Sequence, residues 1–240
     1  MNLVVDIGNS RIKTAIFEGR EMIDFQIFET LRVTEIKQIE KKYAFKYCIM
    51  SSVRSKQPYF VQYLSRNYDL IVLDHKTKTG LKSLYKTRKT LGRDRIAASV
   101  GGANTFKNKN VLVIDLGTCI KYDFVSKEGI YEGGNIAPGL FMRLEAMHNF
   151  TSQLPLVKPK WNENLLGKST KEALQNGAVR GISYEIADFI KTLTKKKGRF
   201  QVILTGGDAD FFARTLESKI FVDPYLVLKG LNDILLYNKT

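Results

Sequence analysis

Cysteine is scarce in this chain of 240 residues: there are two, Cys48 and Cys119. Their spacing suits neither a zinc module nor a disulfide framework, so a stapled fold is excluded and a reducing cytoplasm is the expected setting. Cys119 reads as a small packing residue. No apolar run approaches the roughly 18 residues of a membrane span. The opening MNLVVDIGNS has no basic stretch and reaches an Asp after three apolar residues, unlike a secretory leader. Histidine is rare, and His75 and His148 have no sequence partner at ligand spacing. Acidic residues are outnumbered, with 24 Asp and Glu against 38 Lys and Arg, for a net charge of +14. Such a field attracts nucleotides, small organic anions, nucleic acid or anionic lipid. The basic residues are dispersed, however, through KQIEKKYAFK, HKTKTGLK and KTLTKKKGR. None joins aromatics into a nucleic-acid-reading module. A solvated lysine-rich surface is expected, with no membrane and no specific nucleic-acid partner.

What is present is a repeat. VVDIGNS at 4–10 returns 109 positions later as VIDLGTC at 113–119. A buried strand ending in Asp-x-Gly and turning into a second strand makes a tight hairpin, where glycine permits close backbone approach. Backbone N–H groups and small polar side chains over such a turn can wrap a phosphate, and the carboxylate can hold a hydrated cation beside it. A single copy reads equally as an ordinary hairpin. Two copies can face one another, and LTGG at 204–207 adds a third strand-to-glycine turn able to admit an adenosine or its phosphates. LLGKST at 165–170 ends like a P-loop, but Asn162 stands where the motif needs glycine.

The first half reads as three strands (NLVVDIG, RIKTAIFEG, EMIDFQIFE), then helix TEIKQIEKKY, strand YCIMSSV, helix PYFVQYLSRN, strand DLIVLD and helix DRIAASVGGANTF. The second half repeats that grammar. NVLVIDLG, IKYDFVS and GIYEGGNIA read as strands and GLFMRLEAMHNFT as a helix, followed by one long helix, or two joined near Gly177 and Gly181. RFQVILTGGDADFFARTL reads as strand, turn and helix, and LVLKGLNDILLYN as a closing helix. The expected fold is α/β: a duplicated actin-like (ribonuclease H-like) fold with two lobes, 1–110 and 111–240. Each lobe would hold a meander-containing mixed sheet flanked by helices.

Seven ordered segments carry a resemblance: DIGNSRIK (6–13), LGRDR (91–95), DLGT (115–118), GGNIAPGL (133–140), STKEALQNG (169–177), LTGG (204–207) and LVLKGL (226–231). Together they resemble type III pantothenate kinase over nearly the whole chain. The resemblance implies a cytoplasmic homodimer that phosphorylates pantothenate with ATP at the first step of coenzyme A synthesis. By position it implies that Asp6, Ile7, Gly8, Asn9, Ser10, Arg11, Ile12 and Lys13 line the triphosphate, with Thr118 a further ATP contact. Asp94 would be the catalytic base, in a substrate loop of Gly92, Arg93, Asp94 and Arg95, with Tyr85 and Thr170 also on pantothenate. Asp115 would hold a monovalent cation, K+ or NH4+, and Asp6 magnesium through water. The pattern departs at Arg88, where a proline is usual, and at Arg93, where alanine is frequent. It departs again after the second turn, where Cys119-Ile120-Lys121 replaces Ala-Thr-Thr.

Each role has a plainer rival. Asp94 in GRDR can equally be a helix N-cap, a position Asp favours. Arg95 can fork onto a substrate oxygen or make a surface salt bridge, and Lys13 can reach a phosphate or decorate a strand edge. Tyr131 and Phe150 read most simply as core. Two other functions fit the same residues: a different small-molecule kinase or phosphatase of the actin-like class, or a non-catalytic regulatory factor associated with nucleic acid.

Overall fold

The first strand, β1 (Asn2–Ile7), is buried along its whole length. Alternate residues feed opposite faces of the sheet, as the twofold period of a strand requires. In the computed structural model, which describes residues 1–54, 59–216 and 220–239, β1 is the middle strand of five. It pairs antiparallel with β2 (Ile12–Glu18), which pairs antiparallel with β3 (Glu21–Phe28). On its other side it runs parallel to β4 (Tyr47–Ser52), and β4 to β5 (Asp69–Val72), giving the order β3-β2-β1-β4-β5. Parallel neighbours need crossovers, supplied by α1 (Val33–Lys42) and α2 (Phe60–Asn67). Pro58, where the sequence starts the second of these helices, lies outside the described residues. Leu3, Val5 and Ile7 pack with Ile36, Ile39, Phe60 and Leu64 of the two crossover helices.

The same order is built again. Beyond β6 (Lys82–Ser83) and α3 (Arg93–Thr105) come β7 (Val111–Leu116), β8 (Cys119–Val125), β9 (Ile130–Pro138), α4 (Leu140–Asn149) and α5 (Thr170–Lys197). Then follow β10 (Gln201–Thr205), α6 (Ala209–Ala213), β11 (Phe221–Val222) and α7 (Leu226–Asn238). The second sheet runs β11-β10-β7-β8-β9-β6. With β7 taken for β1, its first five strands repeat the first sheet, and the short β6 is added at the edge. Each copy ends in a helix, α3 or α7. The second copy's α5 is one continuous helix through Gly177 and Gly181, capped by Ser169, whose hydroxyl accepts from the Glu172 amide. Among the described residues no helix is long and apolar enough to cross a membrane.

Two compact units divide the chain. One holds Met1–Val111, Asp123–Gly133 and the chain from Tyr225 onward; the other holds Leu112–Tyr122 and Gly134–Pro224. Within the first, α3 and α7 cover the second face of sheet one, where Val4, Ala15, Phe17 and Ile49 meet Ala97, Val100, Leu231 and Ile234. Glycines set the spacing of these helices. A Cβ on Gly230 would overlap the Ala97 carbonyl and lie 2.9 Å from the Gly101 nitrogen; one on Gly101 would lie 2.6 Å from the Leu226 carbonyl. Both obstacles are backbone, which cannot swing aside. Gly230→Ala gains about 1 kcal/mol of helix propensity against a clash in a packed core, where overpacking costs about 1–3 kcal/mol or more. We expect the clash to win and Tm to fall by several degrees on thermal melting; an unchanged or raised Tm would mean the helices can part.

Candidate active site

The first glycine turn is closed by the Gly8 amide, which donates to the Arg11 carbonyl at 3.0 Å. Asp6 and Lys13 are register partners across the hairpin. Asp6 is 8% exposed and accepts from the Ser51 hydroxyl at 2.6 Å, so its carboxylate is aimed by a neighbouring parallel strand. Ile7 and Ile12 are buried in the core and can offer a ligand only their backbone, whereas Asn9, Ser10 and Arg11 are exposed. Arg54 completes the turn. Its guanidinium donates to the Gly8 carbonyl at 2.9 Å and to the Asn9 carbonyl at 3.2 Å. Two acceptors that would repel an anion are thereby engaged, while turn amides are the groups that bind phosphate. No local pattern announces Arg54, because it lies 46 residues from Gly8.

The second turn is tighter, with the Gly117 amide donating to the Cys119 carbonyl at 3.2 Å. Thr118 at its tip is exposed, and its carbonyl accepts from the Gly139 amide at 3.1 Å, at the start of α4. The Gly-Gly turn after β10 packs on the same hairpin. Gly206 adopts φ +93°, and a Cβ there would lie 2.5 Å from Asp115 Oδ1, while the Asp208 amide donates to the Leu116 carbonyl at 3.0 Å. Burial raises the Asp208 carboxyl above its ordinary range. Asp115 itself has an ammonium beside it: Lys121 Nζ lies 2.8 Å from its Oδ2.

The segment from Gly92 to Arg95 is anchored by a buried ion pair. Gly92, not Asp94, is the N-cap of α3. Asp94 lies in the first turn, where its Oδ1 accepts from the Arg95 amide at 2.9 Å and a carboxylate complements the helix dipole. A side chain at position 92 would intrude here, because a Cβ would lie 2.6 Å from Asp94 Oδ1. Arg95 is 4% exposed and bonds Asp123, itself 1% exposed, through Nε at 3.0 Å and Nη2 at 2.7 Å. Tyr131 donates its phenol to the same carboxylate at 2.6 Å. Desolvation alone would weaken the Arg95 charge, but the Asp123 carboxylate more than offsets it and holds the guanidinium protonated. Tyr85 lies with its ring centroid 5.6 Å from that guanidinium and 6.0 Å from the Tyr131 ring. Arg95 is thus neither a surface salt bridge nor a loose arm. No local pattern announces Asp123, and Tyr131 is a core residue with a polar task, whereas Phe150, expected in the core, is exposed at the end of α4.

Arg93 donates to the Leu73 carbonyl at 2.8 Å and Arg88 to the Ser83 carbonyl at 2.9 Å. Both line a cavity of about 260 Å³ with Asp74, His75 and Lys89, which Asp94 and Tyr85 do not border. Thr170 is exposed in the first turn of α5. His75 and His148 are exposed, Cys48 is buried, and the described residues contain no cluster of three His, Cys, Asp or Glu able to hold a metal. Magnesium takes one or two carboxylates plus phosphates and water, and Asp6 is a buried carboxylate at the end of the strand leading into the first turn.

A family described as type III pantothenate kinase matches residues 2–192. The chain is 40% identical to a type III pantothenate kinase of Christiangramia forsetii over the full length of both, and 42% identical to that of Phocaeicola vulgatus over 99% of each. Among solved structures it resembles a Campylobacter jejuni protein described as a candidate Baf family transcriptional activator (TM-score 0.63, 22% identity, 98% of each chain). It also resembles a ROK hexokinase of Thermus thermophilus (TM-score 0.52, 13% identity, 98% of each chain). At those identities the likeness is one of fold, and the fold is the duplicated actin-like one.

Proposed function

We infer the reaction from kinship: this chain belongs to the type III pantothenate kinase family, and it is an ATP-dependent kinase that phosphorylates pantothenate at the first step of coenzyme A biosynthesis. The assignment of roles to residues is our proposal, and the observation that carries it is the anchoring of Asp94 by the buried Arg95–Asp123–Tyr131 set. Phosphoryl transfer asks a protein chiefly to position the acceptor and stabilise charge on the phosphoryl group. Asp94 takes the proton of the pantothenate primary hydroxyl as its oxygen bonds the γ-phosphorus and the bond to the β-phosphate oxygen breaks, releasing ADP. Tyr85 lies on pantothenate, and Thr170 bonds it.

Gly8, Asn9, Ser10 and Arg11 receive the phosphates through turn amides and side chains, with Lys13 a point charge beside them and Thr118 a contact from the second turn. Ile7 and Ile12 serve through their backbone. Asp6 would hold magnesium through water, and the ion would supply neutralisation of phosphate charge. The two phosphate turns belong to the proposed halves 1–110 and 111–240, and the active species is a homodimer with a shared substrate site, as the resemblance implies.

A coupled assay with ATP, magnesium and pantothenate tests the reaction. The expected product is 4'-phosphopantothenate, with sedimentation at assay concentration near twice 27.3 kDa. ADP release with a sugar but not with pantothenate would move the chain to another actin-like kinase; an active monomer would remove the shared site.

A further inference from the structure

The carboxylate to which the resemblance assigns a monovalent cation faces a cation that the chain itself carries. Lys121 Nζ lies 2.8 Å from Asp115 Oδ2, with the two side chains only 19% and 13% exposed. The strands fix this meeting. Gly117 bonds Cys119 across the second hairpin, so two residues further along each strand Asp115 stands opposite Lys121. In the first hairpin the strand register likewise sets Lys13 opposite Asp6. Asp115 Oδ1, the other oxygen, lies against the bare backbone of Gly206, and the turn tip Thr118 is three residues away in the chain.

A potassium ion at Asp115 would have to share the carboxylate with an ammonium at hydrogen-bond distance, and two like charges that close repel strongly where water is sparse. It would also need further oxygens. Lys121 stands where the family resemblance expects a threonine, so a hydroxyl oxygen is missing as well. The residues present therefore do not fit a bound monovalent cation. They do fit its replacement: a lysine ammonium is a compact point charge similar in kind to NH4+. A charge tethered to the strand is present at a local concentration that no dissolved salt needs to supply.

We propose that the Lys121 ammonium is the monovalent cation of this site, built into the chain, and that it makes the kinase independent of potassium. The inference rests on the kinase reading above, since the charge matters where phosphates approach the second turn. Lys121 acts by holding Asp115 and by adding one positive charge beside the nucleotide, so it is a positioning residue and not a proton carrier.

The test compares the wild type with Lys121→Thr and Lys121→Met in potassium, ammonium, sodium and tetramethylammonium chloride at equal ionic strength. Turnover is read in the coupled assay and ATP affinity by calorimetry. Wild-type turnover and affinity should agree within about twofold across the four salts. Lys121→Thr, which restores a hydroxyl and frees the carboxylate, should lose at least tenfold in tetramethylammonium, or about 1.4 kcal/mol. It should recover most of that with potassium or ammonium in a saturable way. Lys121→Met keeps the stem without charge or oxygen and should lose activity with little rescue. A purely structural lysine would show no ion-specific rescue. Wild-type activation by potassium, or a Lys121→Thr enzyme as indifferent to salt as the wild type, overturns the proposal. If ATP binds without regard to salt but pantothenate is never phosphorylated, the kinase reading falls and the inference stands on the binding arm. If no ATP binds in any salt, both fall.

Discussion

Asp94→Asn should stay folded, bind ATP about as well as the wild type and lose most of its kcat with pantothenate. The asparagine keeps the size of the side chain but cannot take the hydroxyl proton as a carboxylate does. General-base assistance is worth roughly 10²–10⁴ in rate, about 3–5 kcal/mol at 1.36 kcal/mol per decade. The structural cost is small because Gly92 caps the helix. What Asp94 gives α3 is a carboxylate in its first turn, worth about 0.3–1 kcal/mol, or a few degrees of Tm for a chain of this size. Asp94→Ala should therefore match Asp94→Asn in lost rate, with a similar slight change in melting. The measurements are kcat and Tm for both variants. Retention by Asp94→Asn of more than about a tenth of the rate, within one decade of no assistance, would remove Asp94 as the base.

The second large effect falls on stability. Removing Asp123 leaves the Arg95 guanidinium buried with its fork unanswered and the Tyr131 phenol without its acceptor. Breaking a buried pair from one side costs about 3–5 kcal/mol, so Asp123→Leu should lower Tm by about 10 °C or more. Arg95→Met should do comparable damage from the other side. The double variant, which removes both charges and leaves apolar volume, should melt higher than the sum of the two losses predicts, by a coupling of about 0.5–3 kcal/mol. Additive losses would mean that the two residues contribute independently of their mutual bond. Activity should fall in all three variants, because Arg95 adjoins Asp94 and its bond to Asp123 fixes the first turn of α3.

Much of this architecture is legible in the residues, for a local reason. A strand running into Asp-x-Gly, its hairpin partner and the helices that follow are decided by neighbours within a few positions, so the repeated grammar of Asp6 and Asp115 points to two like-ordered sheets. The long helix after Ser169 is also legible, although Gly177 and Gly181 leave its continuity open until packing decides it. Partnerships formed across the fold are what the string of residues conceals. Arg95 meets Asp123 over 28 positions and Arg54 meets Gly8 over 46, and no spacing rule links them. Asp123 is hidden inside an ordinary strand, CIKYDFV. For the same reason the residue order does not show that Arg95 turns its Nε and Nη2 onto Asp123. Lys121 differs again: it is visible as a departure from a motif, but its meaning comes only from the hairpin that sets it across from Asp115.

The pairing of α3 with α7 bears on how the chain is made. Every strand of sheet one and α3 have left the ribosome before β7 opens the second copy of the strand order, yet one face of sheet one lacks half its cover. Val4, Phe17, Ile49 and Val100 wait for Leu231 and Ile234, which follow more than 120 residues after α3. Until then the early unit has an open apolar face and glycine notches with nothing in them. Its folding cannot finish first in the order of synthesis. The intervening chain must be produced, and α7 delivered back to its seat, before the helix bearing Asp94 is pinned from both sides.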